Sequence, residues 1–264
     1  MRNRILVSIV VGVLASWGNR LAAQTLPVYS GIGLPATAAN VLGRAAFEQQ
    51  AGLLFGRLGL GATGLSWEVF REGLVGYYNV RAASAPATAP TVLTLVDFAR
   101  ASQQKRLWVI DVRAGRLLFH TLVAHGKASG GDRPVAFSNQ AGSEMSSLGF
   151  YRTAGSTYVG KHGESLKLIG LDPGYNTNAE SRAVVVHGAP YVCEEFVKTH
   201  GRLGRSQGCP ALPVDLAPAI VRAIKGGSVM FLHGPAEAGF RSRWLNLDAA
   251  TVALTGPGTS GAGN

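Results

Sequence analysis

Two residues could do covalent chemistry together. Cys209 lies in Arg205-Ser206-Gln207-Gly208-Cys209-Pro210, and His187 ends the apolar run Val184-Val185-Val186-His187-Gly188. A thiol behind a Ser-x-Gly turn, with an imidazole on a preceding strand, supplies a nucleophile and its base. Arg202 and Arg205 are close in sequence, and a neighbouring imidazole can hold a thiolate as an ion pair, lowering a pKa that starts near ~8.5. Gly208 lets the backbone approach a substrate, and amides around Gly208 and Cys209 are candidates for an oxyanion hole. A buried structural cysteine would have apolar neighbours; these are Arg, Ser, Gln and Gly.

The other candidates give weaker patterns. His125, His162 and His233 are also followed by glycine at or near strand ends, where a rim histidine bonded to a backbone carbonyl is the plainer reading for His125 and His233. A zinc site from His125, His162 and His187 lacks i, i+4 spacing and an adjoining acid, so no metal is expected. Cys193 and Cys209 are the only cysteines, and one disulfide between them is the alternative to a free nucleophile.

These residues need elements to place them. Residues 107–112 and 117–123 around Arg113-Ala114-Gly115-Arg116 read as a β-hairpin, with further strands at 149–153, 165–171, 183–187 and 228–233. Two helices interrupt them, one from Pro190 to Gly201 and one over about 214–225 before Gly226-Gly227, with proline early and glycine last. The expected fold is mainly β with a few helices, a β-sandwich or open barrel rather than alternating βαβ units. Upstream, residues 37–58 read as one or two helices. A second helix opens with Ser66 as N-cap and repeats Trp67, Phe70, Leu74, Val75 and Tyr78 at helical spacing. Both are expected to pack against the main domain.

Residues 1–23 combine basic Arg2 and Arg4, a short apolar run and small residues before Gln24, the pattern of a cleaved signal peptide. The run is shorter than the ~20 residues of a bilayer span, so export with no stable membrane span after cleavage is expected, to a periplasm or cell envelope. Removing Arg2, Arg4 and Arg20 with it leaves +7 of the formal +10, a charge suited to an anionic envelope surface. No zinc-finger spacing or Lys/Arg stripe interleaved with aromatics marks a nucleic-acid partner. The expected organisation is a signal peptide over 1–23, a helical segment over 24–81, a Pro/Ala/Thr linker over 82–91, a catalytic domain over 92–240 and a flexible tail over 241–264.

Several blocks in order then extend the motif: Val123-Ala124-His125-Gly126, Phe137-Ser138-Asn139, Ser146-Ser147-Leu148-Gly149-Phe150-Tyr151, Gly160-Lys161-His162-Gly163, Ala183 through Tyr191, and Gly204 through Ala211. Over residues 93–234 the chain resembles the murein L,D-transpeptidase catalytic domain family, YkuD-like enzymes that remodel bacterial peptidoglycan. The resemblance implies a cysteine acyl-transfer mechanism without metal or organic cofactor. Cys209 attacks the bond between the third stem residue, a diamino acid, and a terminal D-alanine, and His187 is the base. Ser206 and Gly208 orient the histidine and stabilise the oxyanion, and His162, Tyr151, Arg205 and Gln207 contact the peptidoglycan stem peptide. A second stem's amine resolves the thioester into a cross-link. With water as acceptor the same site makes an L,D-carboxypeptidase, and a non-catalytic peptidoglycan-binding protein is the third alternative.

The chain departs from the commoner family pattern at Gln207, where that pattern has histidine, and at Ala211, where it has arginine. Acid-base work then falls on His187, and carboxylate recognition loses its usual arginine, with Arg205 or Arg182 as substitutes.

Overall fold

Alternation of apolar side chains gives the central strands two buried faces. In the computed structural model, which describes residues 36–84 and 88–255, these strands are β1 (Val92–Asp97), β2 (Leu107–Asp111), β4 (Gly149–Thr153) and β9 (Val229–His233). On one face Leu93, Leu95, Trp108, Ile110, Phe150, Val229 and Phe231 meet Phe47, Phe70, Leu74 and Tyr77 of two helices. On the other, Val96, Val109, Tyr151, Met230 and Leu232 enclose a core with Ile220, Val221 and Ile224. A sheet buried on both faces reads as continuous apolar runs, and β1 is buried along its whole length.

The remaining strands are β3 (Arg116–Thr121), β5 (Tyr158–Gly160), β6 (Gly163–Gly170), β7 (Val185–Gly188) and β8 (Ala211–Leu212). Their order is β3-β2-β1-β9-β4-β6-β7-β8, with β5 paired on β6. An isolated bridge between Ala124, just beyond β3, and Ala211 of β8 brings the two ends of this path together, so the sheet is a nearly closed barrel. Closure falls two residues after Cys209. A parallel bridge between Gly126 and Ser206 continues it.

Five α-helices lie among the described residues: α1 (Ala36–Arg57), α2 (Trp67–Ser84), α3 (Glu194–His200), α4 (Ala217–Ile224) and α5 (Leu247–Thr255). Helix α2 starts where its cap predicts, because the Ser66 hydroxyl accepts the Val69 amide at 3.2 Å. It lies unusually close to the sheet. A Cβ on Gly73 would come within 2.2 Å of Leu95 Cδ2, and one on Gly76 within 2.0 Å of Phe150 Cε1.

The proposed boundaries change at both ends of the barrel. The described residues from 36 to 255 belong to one compact unit, and α2 runs to Ser84, into the stretch expected as linker. The segment expected as a flexible tail from 241 instead makes a 3-10 turn at Arg243–Leu245 and then α5. Asn79 explains the docking: its Nδ2 donates to the carbonyls of Trp244 at 2.7 Å and Asn246 at 2.8 Å, and Trp244 is buried. The Gly- and Ala-rich composition of the segment hid these tertiary anchors. The signal peptide reading and the end of the tail reading lie outside the described residues. Among the described residues no helix is long and apolar enough to cross a membrane.

Candidate active site

Parallel pairing of β7 with β8 places His187 opposite Ala211, so the Cys209 turn, which leads into β8, and the histidine belong to neighbouring strands. The sulfur of Cys209 sits against the segment entering β7. The Val185 amide donates to it at 3.4 Å, and the thiol faces the Ala183 carbonyl at 3.7 Å. Ala183 takes φ 53°, a left-handed conformation uncommon without a glycine, at the point where its carbonyl meets the sulfur. The thiol is half-buried and unpaired, as is Cys193, so the disulfide alternative is not the arrangement found. Cys193 is the residue before α3 and donates to the Pro190 carbonyl at 3.4 Å.

His187 is buried, and its Nδ1 lies 2.9 Å from the Gly188 carbonyl, which fixes the tautomer with Nδ1–H donating and Nε2 free to accept a proton. His162, from the turn between β5 and β6, stacks on it with ring centroids 4.4 Å apart. Burial, with a smaller contribution from His162, holds the His187 pKa below its ordinary value, against the Gly188 hydrogen bond. Burial also pushes the Cys209 thiol up, opposed by the Val185 amide and Arg182. Neutral thiol beside neutral imidazole is therefore the favoured resting state, rather than the ion pair the sequence suggests.

Ser206 works on its own turn. Its hydroxyl accepts the Gly208 amide at 3.0 Å and donates to the Cys209 carbonyl at 2.6 Å. The Gly208 amide is thereby committed, whereas the Cys209 amide donates to no protein atom among the described residues and stays available for an oxyanion. Gly208 has φ 123°, and a Cβ there would meet the Met145 carbonyl at 2.7 Å, so this position needs glycine twice over.

The remaining candidates separate. Gln207 is exposed at the tip of the turn. Arg205 Nη1 donates to the carbonyls of Gly130 at 2.7 Å and Lys127 at 3.3 Å, and Arg202 to that of Leu203 at 2.8 Å. The cation that acts on Cys209 is Arg182. Tyr151 is a correction. It is wholly buried in the inner core, its hydroxyl 2.7 Å from Ser147 Oγ and donating to the Ser147 carbonyl at 3.0 Å, because the inward face of β4 falls on that residue.

His125 is also not a rim residue. It is fully buried, with Nδ1 accepting from Arg106 Nη2 at 2.8 Å, and burial with that guanidinium lowers its pKa to about 4. Its backbone carbonyl accepts the Ser206 amide at 2.9 Å, so this pair underlies the turn that carries Cys209. His233 pairs with Asp97 at 3.1 Å.

Sequence reasoning missed Tyr191 and Ser146 as members of the site. Burial and the nearby Cys209 push the Tyr191 hydroxyl up to about 12, and a Cβ on Gly204 would come within 2.4 Å of that side chain. Ser146 Oγ donates to the Gly208 carbonyl at 3.2 Å and accepts the Gly126 amide at 3.0 Å. Both stand in the quoted motif blocks, but only the folded chain brings them to Cys209.

A profile of the L,D-transpeptidase catalytic domain matches residues 62–233, more than half of the chain, and the chain belongs to that family. The match begins before α2, so this helix is part of the family domain rather than a separate segment. Similar solved structures include an L,D-transpeptidase from Mycobacterium smegmatis, with 18% identity over 54% of this chain and 58% of that one and a TM-score of 0.34. Another is L,D-transpeptidase 1 from Mycobacterium tuberculosis, with 15% identity, coverages of 55% and 62% and a TM-score of 0.31. A third, from Stackebrandtia nassauensis, has 13% identity, coverages of 63% and 66% and a TM-score of 0.34. The chain thus spans 58% of the length of the first of these structures. Comparison with curated proteins gave no match.

Proposed function

We propose that this protein is a peptidoglycan L,D-transpeptidase of the cell envelope that works through a Cys209 acyl-enzyme. The observation that supports this best is the pairing at the barrel's closure: a half-buried thiol held between Ala183 and Val185, and on the adjoining strand an imidazole whose Nδ1 is tied to Gly188.

In this reading, His187 Nε2 takes the thiol proton as the sulfur attacks the carbonyl joining the third stem residue, a diamino acid, to a terminal D-alanine. The developing oxyanion faces the Cys209 amide. The imidazolium returns its proton to the leaving nitrogen, D-alanine departs, and a thioester remains. A side-chain amine of a second stem then attacks the thioester, losing its proton through the same imidazole, and the thiol is regenerated with a new peptide cross-link. His162 covers the outer side of His187 and meets the stem peptide, with Gln207 exposed beside the nucleophile. The Gly208 amide has no part in the oxyanion hole here, because Ser206 holds it.

The test is product analysis by mass after incubation with disaccharide tetrapeptide, beside Cys209→Ala. Cross-linked dimers and free D-alanine, absent with Cys209→Ala, are the expected result. Tripeptide monomers alone would replace the amine acceptor by water, and no product at all would sink the enzyme. Imipenem offers a second probe, expected to add its mass to the parent protein and not to Cys209→Ala.

A further inference from the structure

Arg182 has four polar contacts and no acidic partner. Nη1 donates to the Ser138 carbonyl at 2.7 Å and to Ser147 Oγ at 3.4 Å. Nη2 donates to the Met145 carbonyl at 2.7 Å and to Ser143 Oγ at 3.1 Å. All four acceptors lie in one loop, over residues 138–147. None of the ion pairs among the described residues includes Arg182. Four of five guanidinium donors are thus spent on neutral acceptors that hold the charge in place without cancelling it.

That charge is aimed at the nucleophile turn. A Cβ on Gly208 would lie 3.3 Å from Arg182 Nη2, and the Met145 carbonyl that accepts from Nη2 touches the same position. Arg182 also opens the stretch that wraps the sulfur, since Ala183 supplies the carbonyl and Val185 the amide. The two backbone groups act oppositely: the carbonyl favours the thiol, the amide the thiolate. A fixed cation beside them favours the thiolate.

We propose that Arg182 is a positioning residue for the reaction. Cradled by the 138–147 loop, its guanidinium stabilises negative charge on Cys209 as the proton leaves for His187. This rests on Cys209 being the nucleophile. It also removes Arg182 as a substitute for the missing carboxylate-binding arginine, because its donors are occupied.

The other titratable groups around the sulfur are Tyr191, neutral until far above neutrality, and His187 from β7 with His162 stacked over it. Among the cations of the described residues, Arg182 is the one that favours the thiolate.

The experiment is the rate of iodoacetamide alkylation of Cys209 from pH 6 to 10, in a Cys193→Ser background that leaves one thiol. Removing an opposite charge that favours the thiolate lowers the thiolate fraction about tenfold. Arg182→Gln is therefore expected to alkylate ~10-fold more slowly at pH 7, with its midpoint moved upward by a comparable factor. Arg182→Lys, which keeps the charge and loses the fork, restores most of the rate. A purely structural role would change the rate equally at all pH and leave the midpoint where it was, and that result overturns the inference. So does an Arg182→Lys profile that coincides with Arg182→Gln. If Arg182→Gln does not fold, the Ser143→Ala, Ser147→Ala pair carries the test: an upward midpoint supports the cradle, and an unmoved one overturns it. The readout does not require turnover. If the parent makes no product and imipenem leaves it unmodified, yet alkylation follows Arg182 as described, the proposed function fails and only the effect of Arg182 on the ionisation of the thiol survives; an active parent whose alkylation midpoint ignores Arg182 overturns this inference alone.

Discussion

The Ser206 hydroxyl is bonded to the carbonyl of Cys209, not to the imidazole of His187. The residue that reads as a catalytic helper is the staple of the Cys209 turn. Ser206→Ala leaves the buried Gly208 amide without its acceptor, at a cost of about 1–3 kcal/mol. Urea unfolding should show that loss. Imipenem acylation should slow while its pH dependence keeps the parent shape; a shifted pH profile would instead place Ser206 in proton transfer.

His187 sets a prediction in acid. Its pKa is depressed, so the neutral base persists below the ordinary imidazole value. The acid limb of imipenem acylation should have its midpoint below ~6.5, read from intact mass against time at each pH. His187→Gln should abolish acylation over the whole range. A midpoint above ~6.5 would mean that the imidazole is stabilised as a cation, against the resting state described above.

His125 links stability to pH. Its folded pKa of about 4 lies below the ordinary 6.5, so between these values the unfolded chain binds a proton that the folded chain refuses. Stability should be complete above pH 6.5 and fall as pH drops toward 4, by ~3 kcal/mol for this group alone. His187 adds to the loss in the same direction. His125→Gln, which keeps an acceptor for Arg106, should flatten much of the slope in urea midpoint against pH; an equally steep slope would assign the effect to other groups.

Gly76 separates local propensity from packing. In an exposed helix, Gly→Ala gains ~1 kcal/mol. Here a Cβ would stand 2.0 Å from Phe150, whose ring stacks on Phe231 at 4.2 Å. Gly76→Ala should therefore destabilise by about 1–3 kcal/mol, seen as a lower melting temperature. A higher one would mean that α2 sits farther from the sheet.

Tyr151 tests the reassignment to the core. Tyr151→Phe removes the buried hydroxyl bonded to Ser147 and should cost ~1 kcal/mol of stability while acylation by imipenem stays at the parent rate. A large fall in acylation with unchanged stability would return Tyr151 to the substrate site.

The sequence by itself determined most elements and singled out a candidate pair. Cys209 and His187 stand out by residue type, Ser66 marks the start of α2, and Gly201, with φ 69°, ends α3 as its position implies. Such signals are local, written within a few residues. Tertiary structure alone decided which faces were used. It turned Tyr151 inward, spent Arg205 on the Gly130 carbonyl, folded the apparent tail onto α2 through Asn79, and brought Arg182 against the Gly208 position of the Cys209 turn. Each outcome depends on contacts between residues far apart in the chain, and barrel closure is what brings them within reach.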